Sequence, residues 1–222
     1  MLLKKIFNIL LFLHHQRIVN FIKKNNLKFN KYIDVGTHEG EFLELILDKK
    51  ITKIYCFEPQ KFYFFFLKKK FKKAKVYNYA LDKETSKKFF FINKLDSTST
   101  LSKINKKSFY LRFKNYLLNQ KNNYENKTFI KTTTLDIIFK NNILKKTLLK
   151  IDVEGYELNV LKGAKNKLKE IPYILIEQQF GNQYKNSDFS KVDKYLKDNN
   201  FKVTKNFYYP TLHYKDILYS KI

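Results

Sequence analysis

Three short stretches place reactive side chains just where apolar runs end. In YIDVGTHEG (32–40) an apolar run closes on Asp34, and Gly36 and Gly40 flank a turn that carries His38. In KIYCFEP (53–59) the next run closes on Glu58, 22 residues after Gly36. In KIDVEGYE (150–157) a third run meets Asp152, Glu154 and Glu157 within six positions. Glycines at a strand-to-helix turn let a ligand approach the backbone. An acid ending the following strand, about 20 residues on, reaches both hydroxyls of a ribose. The dinucleotide pattern G-x-G-x-x-G is not met, because His38 stands where its second glycine would be. A pyrophosphate has poor access there, so a nucleoside-type ligand without phosphates is expected.

The third stretch has two readings. Asp152 and Glu154, at a strand end, are candidates to accept a proton in a ligand cleft, and Glu177, ending YILIE, lines the same cleft from the next strand. The same spacing suits helix capping, with Asp152 as N-cap and Glu154 and Glu157 in the first turn, where the helix dipole favours negative charge. Both readings stay open for Asp152 and Glu154. Glu157 is most simply a helix-start residue. Two carboxylates on adjacent strands make a thin ligand set for a divalent cation, and no metal is expected. Cys56 reads as core, Pro59 fixes the turn after Glu58, and His14, His15 and His213 read as surface or packing residues.

The elements that would position these residues alternate. KYIDV (31–35), KIYCF (53–57), KVYNYA (75–80), LLKIDV (148–153) and YILIE (173–177) read as buried strands. Helical patterns follow at about 39–47, 61–71 and 156–168. Strand and helix in alternation imply βαβ units and a mostly parallel sheet with helices on both faces, whose strand ends form the ligand site. Residues 82–136 break the alternation with KKFFFI (87–92), the run DSTST (96–100), a helical piece near 109–118 and FIKTTTLD (129–136), an insertion carrying a hairpin. A helix near 189–198 precedes a terminal antiparallel pair, FKVTKNFYY and KDILYSKI.

The chain of 222 residues carries 45 Lys+Arg against 20 Asp+Glu, a formal net charge of +25. Only Arg17 and Arg112 are arginines, although arginine is the side chain suited to bidentate phosphate and guanine contacts. The lysines are spread along the whole chain among Asn, Phe, Tyr and Ile, the pattern of an A/T-rich coding bias, and no specific nucleic-acid partner is expected. A single cysteine excludes an internal disulfide and fits a reducing cytoplasm. Residues 1–29 form an amphipathic basic helix, too short in apolar length to span a bilayer. Its first role is to pack on the domain of residues 30–222; a peripheral contact with an anionic membrane is the second.

Taken together, IDVGTHEG, FEP, the Ser/Thr run before TTTLD, and above all LLKIDVEGYELNVLKGA resemble the FkbM-like methyltransferases, a branch of the S-adenosylmethionine-dependent Rossmann-fold enzymes. The resemblance covers about residues 30–222. It implies an α/β, Rossmann-like methyltransferase fold: a mostly parallel seven-stranded sheet with an antiparallel C-terminal strand, plus the N-terminal helix and the hairpin insertion. It implies S-adenosyl-L-methionine as cofactor, held by Asp34, Gly36, Gly40 and Glu58. His38 stands where Asn is more often found, and both can hydrogen-bond the ligand. It implies O-methylation of a small-molecule or glycan hydroxyl, on a sugar or secondary metabolite. Asp152, with Glu154 next to it, is then the candidate base. Three rivals are disfavoured. A nicotinamide dehydrogenase lacks its third glycine, a nucleic-acid base methyltransferase lacks a Pro-Pro-aromatic loop, and a non-catalytic module has no need of Gly36, Glu58 and Asp152 together.

Overall fold

In the computed structural model, which describes residues 2–93, 99–103, 105, 108, 124–181, 183–185, 187–211 and 213–222, the apolar runs lie side by side. Strands β1 (Lys31–Val35), β2 (Lys53–Phe57), β3 (Ala74–Tyr77), β7 (Thr147–Ile151), β8 (Tyr173–Gln179), β9 (Phe201–Tyr208) and β10 (Tyr214–Lys221) form one sheet in the order β3-β2-β1-β7-β8-β10-β9. The first five run parallel, and β10 runs antiparallel to both of its neighbours. A second sheet, β4-β6-β5, holds β4 (Ala80–Leu81), β5 (Ser86–Asn93) and β6 (Tyr124–Thr133), with β5 and β6 as the expected antiparallel hairpin.

Side chains alternate across the main sheet, as the two-residue strand period demands. On one face Ile33, Phe57, Leu149 and Ile151 pack under helices α4 (Leu135–Ile138), α5 (Glu157–Lys162) and α6 (Phe189–Asp198). On the other Tyr32, Cys56, Leu148 and Leu175 pack under α1 (Leu2–Lys24) and α2 (Glu41–Ile46). Helix α3 (Lys61–Lys70) is tied to α2 by the Lys70–Glu44 ion pair.

The register positions the site. Val35 pairs with Phe57 on one side and Ile151 on the other, so the reactive ends of three adjacent strands are level. Gly36, Glu58 and Asp152 each come one residue after these partners. The chain winds from β1 outward through β2 to β3 and returns on the far side of β1 as β7, so these ends meet at a topological switch point.

Several expected boundaries move. KVYNYA is not one strand: the Asn78 side-chain amide donates to the carbonyls of Glu58 (3.0 Å) and Pro59 (2.9 Å), ending β3, and β4 then joins the other sheet. The helix expected at 39–47 starts only at Glu41, because Gly40 precedes it with left-handed backbone (φ 76°). The helix expected at 156–168 spans Glu157–Lys162, with a separate 3-10 turn at Lys167–Lys169. Asp152 is not its N-cap; that position falls to Tyr156, which makes no side-chain cap bond. Between them Glu154 (φ 56°) and Gly155 (φ 85°) reverse the chain in left-handed conformations. Of the two roles expected for His14, surface or packing, it takes the second: it is buried, with Nε2 2.7 Å from the Asp216 carboxylate. The helix expected near 109–118 and residues 96–98 of the Ser/Thr run lie outside the described residues. Among the described residues no helix is long and apolar enough to cross a membrane.

Candidate active site

A cleft of about 540 Å³, open mouth included, lies beyond the ends of β1, β2 and β7. Gly36, His38, Glu58, Asp152 and Glu154 all line it, together with Ala80, Leu81, Thr100 and Tyr156. Asp34 and Gly40 do not line it.

The β2 side is built by backbone. One Glu58 carboxylate oxygen accepts the His38 peptide N–H (3.0 Å) and the other accepts the Gln60 N–H (2.8 Å). An ionised carboxylate has about four acceptor positions, so two remain for ligand hydroxyls. Burial pushes the Glu58 carboxyl up to about 7 against the pull of those two N–H groups, and nearby Asp34 adds to the rise. His38 thus contributes through its main chain, while its ring lies against Tyr63 with centroids 4.1 Å apart.

The two turn glycines have different causes. At Gly36 (φ 84°) a Cβ would sit 1.9 Å from the Asp152 carbonyl oxygen, so this residue lets the ends of β1 and β7 touch. At Gly40 (φ 76°) a Cβ would sit 2.5 Å from the Phe71 ring. Gly40 therefore makes room for the chain following α3, and it forms the turn without reaching the cleft. Asp34 lies beneath the site, accepting the Tyr32 hydroxyl (3.0 Å) with the Lys150 Nζ 3.9 Å away. Burial raises its carboxyl above the usual range, against the opposing pull of Lys150 and Tyr32.

The β7 side is built by side chains. Lys150 Nζ donates to Asp152 at 2.9 Å. Burial alone would lower the Lys150 ammonium, but Asp152 and Asp34 raise it above its usual value. Glu154 is buried and accepts from the Tyr184 hydroxyl (2.7 Å) and the Gln179 amide. Gln179 also donates to Glu177 at 3.1 Å. Asp152, Glu154 and Glu177 bring carboxylate oxygens within 4.8 Å of one another, a spacing open to a hard cation with oxygen ligands. Glu177 completes a trio that two acids alone did not suggest, although it does not itself line the cleft. Its carboxyl is raised well above the usual value by burial, then by Asp152, Glu154 and Asp216. Glu157 accepts the Gly155 N–H (2.9 Å), as a helix-start acid should, and burial pushes it up to about 7.

Four further residues hold the site and were not singled out by sequence. The Thr100 hydroxyl reaches the carbonyls of Val153 (3.0 Å) and Glu154 (2.8 Å), pinning the acidic turn from the insertion. The Ser/Thr run was its only signal. Tyr156 donates to buried Asp82 (3.1 Å), whose other oxygen pairs with Lys88 at 2.5 Å, joining the hairpin to the cleft wall. Tyr156 lies within the KIDVEGYE stretch without being marked there for this role, and no pattern in the sequence marks Asp82 or Lys88.

The methyltransferase FkbM domain family model matches residues 34–203. The chain belongs to the FkbM methyltransferase family. Membership implies S-adenosyl-L-methionine as its cofactor. The cleft is compatible with that molecule: the buried Glu58 carboxylate lies on its β2 side, carboxylates line its β7 side, and among the described residues its turn has no glycine-rich phosphate cradle. No match is found among curated proteins. Among solved structures the fold is similar to an uncharacterised protein from Listeria monocytogenes serotype 4b (10% identity, TM-score 0.52), matching 94% of this chain and 66% of that one. It is similar to a SAM-dependent methyltransferase from Leishmania major (12% identity, TM-score 0.52), covering 99% of this chain and 76% of that one. It is also similar to the methyltransferase domain of bacterial CtHen1-C (12% identity, TM-score 0.50), covering 96% and 98%.

Proposed function

We propose that this FkbM-family methyltransferase transfers a methyl group to a hydroxyl oxygen of a sugar, glycan or secondary metabolite. The observation that carries this reading is the level arrangement of Glu58, Gly36 and Asp152 at the ends of three adjacent strands, opening on one cleft. When bound, the cofactor supplies a methyl group activated by its sulfonium charge. Glu58 would hold the ribose, and Gly36 would allow close approach at the turn. A hydroxyl is a weak nucleophile until its proton has an acceptor. Asp152, with its side chain 30% exposed, is the acid open to that proton, whereas Glu154 is committed to Tyr184 and Gln179. Lys150 fixes the Asp152 carboxylate, and Thr100 fixes the turn beside it. Methyl transfer then asks the protein mainly to align acceptor and donor and to exclude water.

The test is Asp152→Asn, assayed with labelled S-adenosylmethionine against cell-envelope glycans. The variant is expected to bind cofactor as the wild type does while turnover falls about 10²-fold or more. Turnover at the wild-type rate would remove Asp152 as base.

A further inference from the structure

The first helix is apolar on two opposite faces, and the fold uses only one. From His14 onward α1 packs inward, with Ile18, Val19 and Ile22 buried against the sheet. Before that point Ile6 (44% exposed), Ile9 (58%), Phe12 (49%) and Leu13 (52%) lie open to solvent. At 100° per residue Ile6, Ile9 and Leu13 fall within about 60° of one another, on the side opposite Ile18 and Ile22. These three form an outward stripe, while Phe7 (39% exposed) and Phe12 fall towards the inward side, so the first turns of the helix also stand clear of the sheet. An exposed apolar patch rimmed by charged residues marks a surface for a partner or a membrane.

The charges around the stripe indicate what covers it. Helix α1 has five basic residues, Lys4, Lys5, Arg17, Lys23 and Lys24, and no acid. Lys5, Lys23 and Lys24 are exposed, and at 100° per residue Lys5 and Lys23 fall about 40° beyond one edge of the stripe while Lys24 lies in line with Ile6. A second copy is a poor occupant, since each chain carries a formal charge of +25 and would repel its twin. The apolar segment is too short to span a bilayer, and no described helix can cross one. A basic amphipathic stretch of this kind lies in the plane of an anionic lipid surface, its apolar side chains in the headgroup boundary. We propose that α1 docks the enzyme on an anionic membrane surface through Ile6, Ile9, Phe12 and Leu13, with Lys5, Lys23 and Lys24 against the lipid headgroups.

The proposal does not depend on the methyl-transfer reading, because its readout is lipid binding. The full chain would be floated with phosphatidylcholine vesicles, with and without one quarter phosphatidylglycerol, at low and high salt. The variant Ile9→Ser/Leu13→Ser leaves the charge unchanged, which separates apolar insertion from general attraction of a basic protein, and S-adenosylhomocysteine binding reports that it is folded. The expected result is binding to the anionic vesicles only, weakened by salt and weakened about tenfold or more in the folded variant. No binding by the wild type, or equal binding by the variant, would overturn the proposal. So would a wild-type dimer in sedimentation that the variant loses, which would assign the stripe to a second copy.

Discussion

The acids on either side of β1 are held in opposite ways. Glu58 is fixed by two backbone N–H groups, from Gln60 two residues on and from His38 in the neighbouring turn, and among the described residues it has no ion pair. Asp152 and Glu154 are fixed by side chains from distant segments: Lys150 from β7, Gln179 from the end of β8, Tyr184 beyond it and Thr100 from the insertion. The first arrangement comes with the strand-turn-helix itself and leaves its carboxylate free to serve a ligand. The second is a buried network whose members hold one another through hydrogen bonds and the Lys150–Asp152 pair, so its removal should be felt in stability as well as in chemistry.

That contrast can be broken most forcefully at Lys150. Lys150→Met strips the cation from buried Asp34 and half-buried Asp152, and breaking a buried pair costs about 3–5 kcal/mol. The expected outcome is a large drop in the urea midpoint, and an unchanged midpoint would show that the network is not structural. Tyr184→Phe should cost less, about 1–3 kcal/mol, by removing one donor from buried Glu154. The same denaturation assay reads it.

On the β2 side the expected effect is smaller and falls on binding. In the proposed role ribose hydroxyls would donate to the ionised form of Glu58, whose free carboxyl sits at about 7 because of burial. Cofactor affinity should therefore be level above that pH and fall as pH drops below it, by at most about tenfold per unit. Glu58→Gln, which cannot titrate, should abolish this dependence in S-adenosylhomocysteine titrations. The sign for folding is the reverse. With a folded value near 7 and an ordinary one of 4.5, the free protein holds the proton more tightly than the unfolded chain. This group's contribution to stability is thus full below about 4.5 and lost as pH rises through about 7.

The contrast also explains what the sequence made legible. Gly36 and Glu58 were legible as candidates because their spacing along two successive strand ends is a sequence pattern, although Gly36 also answers to the Asp152 carbonyl on β7, and the family motif around Asp152 marked the third strand end. Gly40 was legible as a turn glycine, yet its cause is the Phe71 ring from another segment. Tyr184 and Gln179 carry no pattern, since each becomes a partner of Glu154 only after β8 and the chain beyond it fold back on the turn. KVYNYA read as one strand because apolar periodicity does not register the Asn78 side chain tying off β3. The outward stripe of α1 was equally hidden, because periodicity shows that apolar residues recur but not which face the domain will leave uncovered.

The measurement that bears most directly on the account is calorimetric titration of the wild type and Glu58→Ala with S-adenosylmethionine. The wild type is expected to bind one equivalent, and the variant to bind about tenfold or more weakly while remaining folded. Failure of the wild type to bind, or equal affinity in the folded variant, would contradict the assignment of this cleft to the cofactor.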